Sequence, residues 1–263
     1  MEGHNCGMIA RHLPRFLAPA VVAASGLGAS VLASAIPSAA ADPCSDVQVV
    51  FARGTDDPPG VGTTGQAFVD SLRPRIGAKS LDVYPVNYPA THDWTTAGKD
   101  GIGDAGAHVV SMAHDCPNTK MVLGGYSQGA AVMGFVTSAS VPDGVDPASV
   151  PKPMDPEVAN HVSSVVLFAM PSDRAMNFFG EPPVVIGPLY QAKTIQVCAP
   201  EDPICADGMN FAAHDTYASN GAVIDQGVGF AASRLNEGPG GPAGAGPGAP
   251  ATVAASPGGG FGS

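Results

Sequence analysis

The chain has 263 residues, 44% of them hydrophobic and 13% charged, with 34 Gly, 26 Pro and five Cys. That length sets one or two domains, and the apolar share excludes disorder throughout. Twelve Lys and Arg against 23 Asp and Glu give a formal net charge of −11, which, with no basic block anywhere, argues against a nucleic-acid partner and gives no electrostatic pull toward anionic lipid.

The first element in chain order is a targeting segment. Arg11 and Arg15 stand against a single acid, Glu2, ahead of an apolar run from Phe16 to about Ala35. Ile36-Pro37-Ser38-Ala39-Ala40-Ala41 then offers the small residues a signal peptidase reads, so residues 1–41 read as a signal peptide cleaved after Ala41. Pro19, Ser25, Gly26, Gly28 and Ser30 interrupt the run and no stop-transfer charges follow, which disfavours a retained membrane span. Cys6 leaves with this segment. Cys44, Cys116, Cys198 and Cys205 remain, and in an exported domain they read as two disulfides. Spacing favours Cys198 with Cys205 and hence Cys44 with Cys116. No CxxC pair or clustered His supports a metal site.

Residues 42–237 form the expected single domain. Val47–Ala52 reads as a buried strand, and Leu81–Tyr88 alternates with period two. Met121–Tyr126, Val162–Met170 and Thr194–Cys198 complete five candidate strands. Helical character covers about 62–76, 99–114, 128–139 and 215–235, while 140–156, rich in Pro and Asp, reads as a surface loop. Strands alternating with helices predict a parallel sheet covered on both faces. From Gly238 to Ser263 there are ten Gly and five Pro with no charge, a composition that cannot bury a core and reads as a flexible tail.

Gly125-Tyr126-Ser127-Gln128-Gly129 fits G-x-S-x-G between an apolar strand and an Ala-rich helix, the setting of a nucleophile elbow. Ser127 would project its hydroxyl from the carboxyl end of the sheet, and the Gln128 amide at the helix start would face a developing oxyanion. The base must follow the serine in this architecture. His214 does so, after the last strand, whereas His108 and His114 fall within a helix and suit surface or capping roles. For the acid, Glu201, Asp202, Asp207 and Asp215 compete. Asp202 is preferred because the loop that Cys198 and Cys205 would close holds it rigidly at the end of the sheet. Ile204, Met209 and Phe211 flank these groups, either as an acyl-binding lip or as core beneath the loop.

These pieces together resemble the cutinases, within them the exported cutinase-like esterases of actinobacteria. The resemblance runs from about Cys44 to Phe230 and rests on Phe51-Ala52-Arg53-Gly54-Thr55, the G-x-S-x-G pentapeptide, the Cys198–Cys205 loop with Asp202, and His214. It implies a three-layer α/β/α domain with a five-stranded parallel sheet. It also implies carboxylic-ester hydrolysis by Ser127, His214 and Asp202 with no metal or organic cofactor, and Thr55 as second oxyanion donor. Asp56-Asp57-Pro58-Pro59-Gly60 and the loop from Thr137 to Asn160 depart from the fungal pattern. The expectation is a secreted monomeric serine esterase or lipase acting on an ester or lipid substrate. An acyltransferase with the same residues and a non-catalytic surface-binding protein on the same scaffold are the alternatives.

Overall fold

The computed structural model describes residues 44–237. The signal peptide expected over 1–41 and the tail expected over 238–263 lie outside the described residues. Five strands, β1 (Val47–Ala52), β2 (Leu81–Pro85), β3 (Lys120–Tyr126), β4 (Val162–Phe168) and β5 (Thr194–Val197), form one parallel sheet in the order β2-β1-β3-β4-β5. The period-two geometry of a strand divides their side chains between two cores. Val50, Ala52, Leu123, Val165 and Leu167 face α2 (Trp94–Asp115) and α3 (Gln128–Val136). Val49, Phe51, Val122, Val166 and Phe168 face α1 (Gly62–Leu72) and α7 (Gly221–Asn236). The result is the expected α/β/α sandwich with a five-stranded parallel sheet, its strands apolar on both faces.

Element boundaries follow local chemistry. The helix expected over 62–76 ends as α1 at Leu72 and tightens into a 3-10 turn over Arg73–Arg75, because Pro74 has no N–H to continue the α pattern. Helix α2 begins five residues earlier than its periodicity suggests, since the Asp93 side chain accepts from Thr96 N at 3.2 Å and caps it. Strand β2 stops at Pro85, whose partner Phe51 lies one residue from the end of β1. The helix expected over 215–235 starts only at Gly221, as α7, and a separate short helix, α6 (Phe211–His214), precedes it. Between them the chain turns so that Tyr217 is fully buried. Short helices α4 (Asp173–Phe179) and α5 (Pro188–Gln191) precede β5. Disulfides join Cys44 to Cys116 and Cys198 to Cys205.

This strand order sets the location of any site. The chain leaves β1 toward β2 on one side and returns through β3 on the other, so the order reverses between β1 and β3. Ligands of open α/β sheets bind outside the carboxyl ends of the strands at such a reversal. Thr55 follows β1 and Ser127 follows β3.

Candidate active site

Ser127 sits between β3 and α3 at φ 53°, ψ −118°, a conformation that costs a non-glycine residue about 1–3 kcal/mol. Close packing enforces it. A Cβ at Gly125 would lie 2.3 Å from the Gly129 carbonyl oxygen, and one at Gly129 would lie 2.0 Å from the Ala52 carbonyl oxygen. Both positions must therefore be glycine if the strand and helix are to approach this closely. The Ser127 amide donates to Phe168 O at 3.0 Å, tying the turn to β4.

His214 ends α6 and lies 2.9 Å through Nε2 from Ser127 Oγ. Its Nδ1 lies 3.0 Å from Asp202 Oδ2 and 3.2 Å from Oδ1. The Tyr126 hydroxyl donates to the His214 carbonyl at 2.5 Å, and the two rings stack with centroids 5.2 Å apart. The imidazole is thus held by backbone, ring face and carboxylate.

Asp202 is fully buried. Burial pushes its carboxyl toward protonation, but hydrogen bonds from His214, from Ile204 N at 2.9 Å and from the Tyr217 hydroxyl at 2.8 Å outweigh it. They hold the group below the usual carboxylate range. Tyr217 OH in turn accepts from Ala199 N at 2.8 Å, and burial drives its phenol well above the ordinary range. The competing acids are placed elsewhere. Glu201 is exposed, Asp207 pairs with Arg174 at 3.2 Å, and Asp215 is exposed. Cys198 and Cys205 lie against Asp202, but their sulfurs are bonded to each other and present no thiolate to a metal ion.

A cavity of about 400 Å³ opens over Ser127 and His214 and is walled in part by Thr55, Ile204, Trp94 and Phe179. Gln128 is the first residue of α3, so its amide has no partner within the helix. Its side chain is 1% exposed and donates through Nε2 to Thr91 O at 2.9 Å. Of the three flanking residues, Ile204 lines the cavity. Met209 and Phe211 are 81% and 66% exposed and stand outside its lining, which removes the core reading for both, because the chain carries them outward on either side of Asn210.

Sequence reasoning missed two residues that shape the site. Arg53 reads as part of a strand-ending turn, yet it is 5% exposed. Its guanidinium donates to the carbonyls of Asp57 at 2.9 Å, Tyr88 at 2.6 Å and Pro89 at 3.3 Å, so it anchors the Thr55 loop to the segment after β2. Tyr217 reads as part of the last helix. Its only sequence signal is an aromatic residue three positions after the His.

A three-layer α/β/α fold carrying a strained serine elbow within hydrogen-bonding reach of an imidazole and a buried carboxylate defines an α/β hydrolase. The family model "Cutinase" matches residues 43–235, and the chain belongs to the cutinase family. It is 57% identical over 174 residues to "Probable carboxylesterase Culp5" of Mycobacterium tuberculosis, covering 66% of this chain and 98% of that one. It is 42% identical to "Phospholipase Culp4" of the same organism, over 86% of this chain and 93% of that one. Trichoderma reesei cutinase in complex with a phosphonate inhibitor superimposes with a TM-score of 0.56 at 33% identity, over 74% of this chain and 79% of that one. The protein is a carboxylic ester hydrolase.

Proposed function

We propose that this chain is an exported serine esterase working through a Ser127–His214–Asp202 triad and an acyl-enzyme. The observation that carries the reading is the unbroken line of contacts from Ser127 Oγ through His214 to buried Asp202, at 2.9 and 3.0 Å. In this cycle His214 Nε2 takes the Ser127 proton as Oγ attacks the ester carbonyl, and Asp202 stabilises the imidazolium that forms. The Gln128 amide, with Thr55 from across the sheet reversal, donates to the oxyanion. The imidazolium then protonates the leaving alkoxide, and water deprotonated by the same nitrogen releases the acid. The relatives' names, a carboxylesterase and a phospholipase, support acyl esters or lipids as substrates.

Ser127→Ala is expected to lower turnover on a p-nitrophenyl ester by on the order of 10⁴–10⁶ with the fold intact. A purified variant that keeps more than a tenth of the activity contradicts the assignment. Two disulfides suit an oxidising compartment. On this reading residues 1–41 are removed on export and 238–263 form a tail outside the domain. The exported protein should begin at Asp42 by N-terminal sequencing, and a start at Met1 would refute processing.

A further inference from the structure

The chain leaves β1 through Gly54-Thr55-Asp56-Asp57, a turn closed by the Asp57 amide donating to Gly54 O at 3.3 Å. Its third residue, Asp56, takes φ 60°, a position that such turns ordinarily give to Gly or Asn. The turn is therefore held against its sequence preference. The Asp56 amide donates to Ala90 O at 2.8 Å, in the segment after β2. The Asp57 carbonyl accepts from Arg53 Nε at 2.9 Å, and the Gly54 amide donates to Asp57 Oδ2 at 3.0 Å. Of the four amides in the turn, that of Thr55 alone has no partner among the described residues.

Asp57 has no place in the chemistry of the triad, yet its carboxylate is built into the site. It is half-buried and lines the cavity over Ser127 together with Thr55. Gly62, the first residue of α1, takes φ 69°, and a Cβ there would lie 2.5 Å from Asp57 Oδ2. Gly54 in turn sits on the Tyr126 ring, since a Cβ there would lie 2.7 Å from Tyr126 Cδ1. The same ring stacks on His214. The turn and the catalytic base are thus packed on opposite sides of one contact chain. Burial raises the pKa of the Asp57 carboxyl, opposed by the Gly54 amide and the Arg53 guanidinium. An anion near a developing oxyanion opposes it, so what Asp57 contributes is its bond to Gly54 and not its charge.

We propose that Asp57 is the positioning residue of the oxyanion turn: by accepting the Gly54 amide it fixes the backbone that presents the open Thr55 N–H to the cavity. The proposal rests on the reading of Thr55 as an oxyanion donor. With that bond gone, one hydrogen bond of 3.3 Å closes the turn, Asp56 relaxes toward negative φ, and the Thr55 amide turns away. Such a donor acts on the oxyanion and not on the ground-state ester, so displacing it lowers kcat and spares KM.

The test measures kcat and KM on p-nitrophenyl butyrate for Asp57→Ala, Asp57→Leu and Asp57→Asn. Outright loss of an oxyanion donor lowers turnover by a factor of about 10²–10³. Asp57→Ala displaces one, and is expected to lower kcat about 10- to 100-fold with KM nearly unchanged. Asp57→Leu keeps the branched shape without the acceptor. It should lose as much, and it carries the comparison if the alanine variant melts early. Asp57→Asn keeps an acceptor for the Gly54 amide and should restore kcat to near the wild-type value without the charge. Full turnover in both acceptor-free variants, an Asn variant as impaired as they are, or a loss that falls on KM overturns the proposal. Thr55→Pro removes the Thr55 N–H at a turn position that suits proline. Full turnover in that variant defeats Thr55 as a donor, whereas a loss there with none in Asp57→Ala and Asp57→Leu defeats only the role of Asp57.

Discussion

Glu201 and Asp202 are adjacent carboxylates with opposite environments, and one backbone angle separates them. Glu201 takes φ 66°, which turns its own side chain out to solvent and Asp202 inward to three donors. No composition or spacing rule reads that angle, and the Cys198–Cys205 loop encloses both acids, so neither spacing nor the loop separates Glu201 from Asp202. Ser127 and His214 were legible because G-x-S-x-G and the chain order leave few alternatives. Arg53 and Tyr217 were not, because their roles come from carbonyls and a carboxylate brought in from distant segments. The lowered pKa of Asp202 has a consequence for stability. A group whose folded pKa lies below its unfolded value of about 3.9 contributes stability in full above that value and loses it as the pH falls through the folded one. Asp202→Asn should therefore melt below the wild type by a constant margin from about pH 8 to about pH 5, and the margin should shrink below about pH 4. Its turnover should fall by on the order of 10⁴. A margin that grows on acidification would mean that Asp202 is not held ionised in the fold.

At the scale of elements, all five strands were legible, since continuous apolar runs bounded by turn residues have few other readings in an alternating chain. Helix ends were less so. The Asp93 cap, the Pro74 stop and the break after His214 depend respectively on one side-chain hydrogen bond, one missing N–H and one buried tyrosine. The break matters most for the site, because it separates the four-residue α6 that presents His214 from the sixteen-residue α7 that packs on the sheet. The two disulfides act on different elements. Cys44–Cys116 spans 72 residues, which in the chain-entropy picture stabilises the fold by about 4 kcal/mol, whereas Cys198–Cys205 spans 7 and gives about 2 kcal/mol. The shorter bond, however, closes the loop that aims Asp202. Replacing Cys198 and Cys205 by Ser should lower turnover far more than melting temperature, and replacing Cys44 and Cys116 by Ser should do the reverse. Calorimetry and steady-state kinetics on both double variants check this. Parallel losses in the two would mean that the short bond serves stability alone.

At the scale of the molecule, the sheet order places the site. Because the chain winds outward from β1 in both directions, the loops after β1 and β3 diverge over the sheet, and that divergence is where Thr55, Ser127 and His214 share a cavity. Helices α2 and α3 on one face and α1 and α7 on the other then fix the elbow from both sides, so the strain at Ser127 is held by two cores rather than by the loop. The central claim is that Ser127 becomes covalently bonded during turnover, and a fluorophosphonate reports on that directly. Intact-protein mass spectrometry should show one label per chain, with peptide mapping placing it on Ser127 and hydrolysis lost in proportion to labelling. A protein that hydrolyses esters yet takes no label at Ser127, or stays active when fully labelled there, would contradict the account.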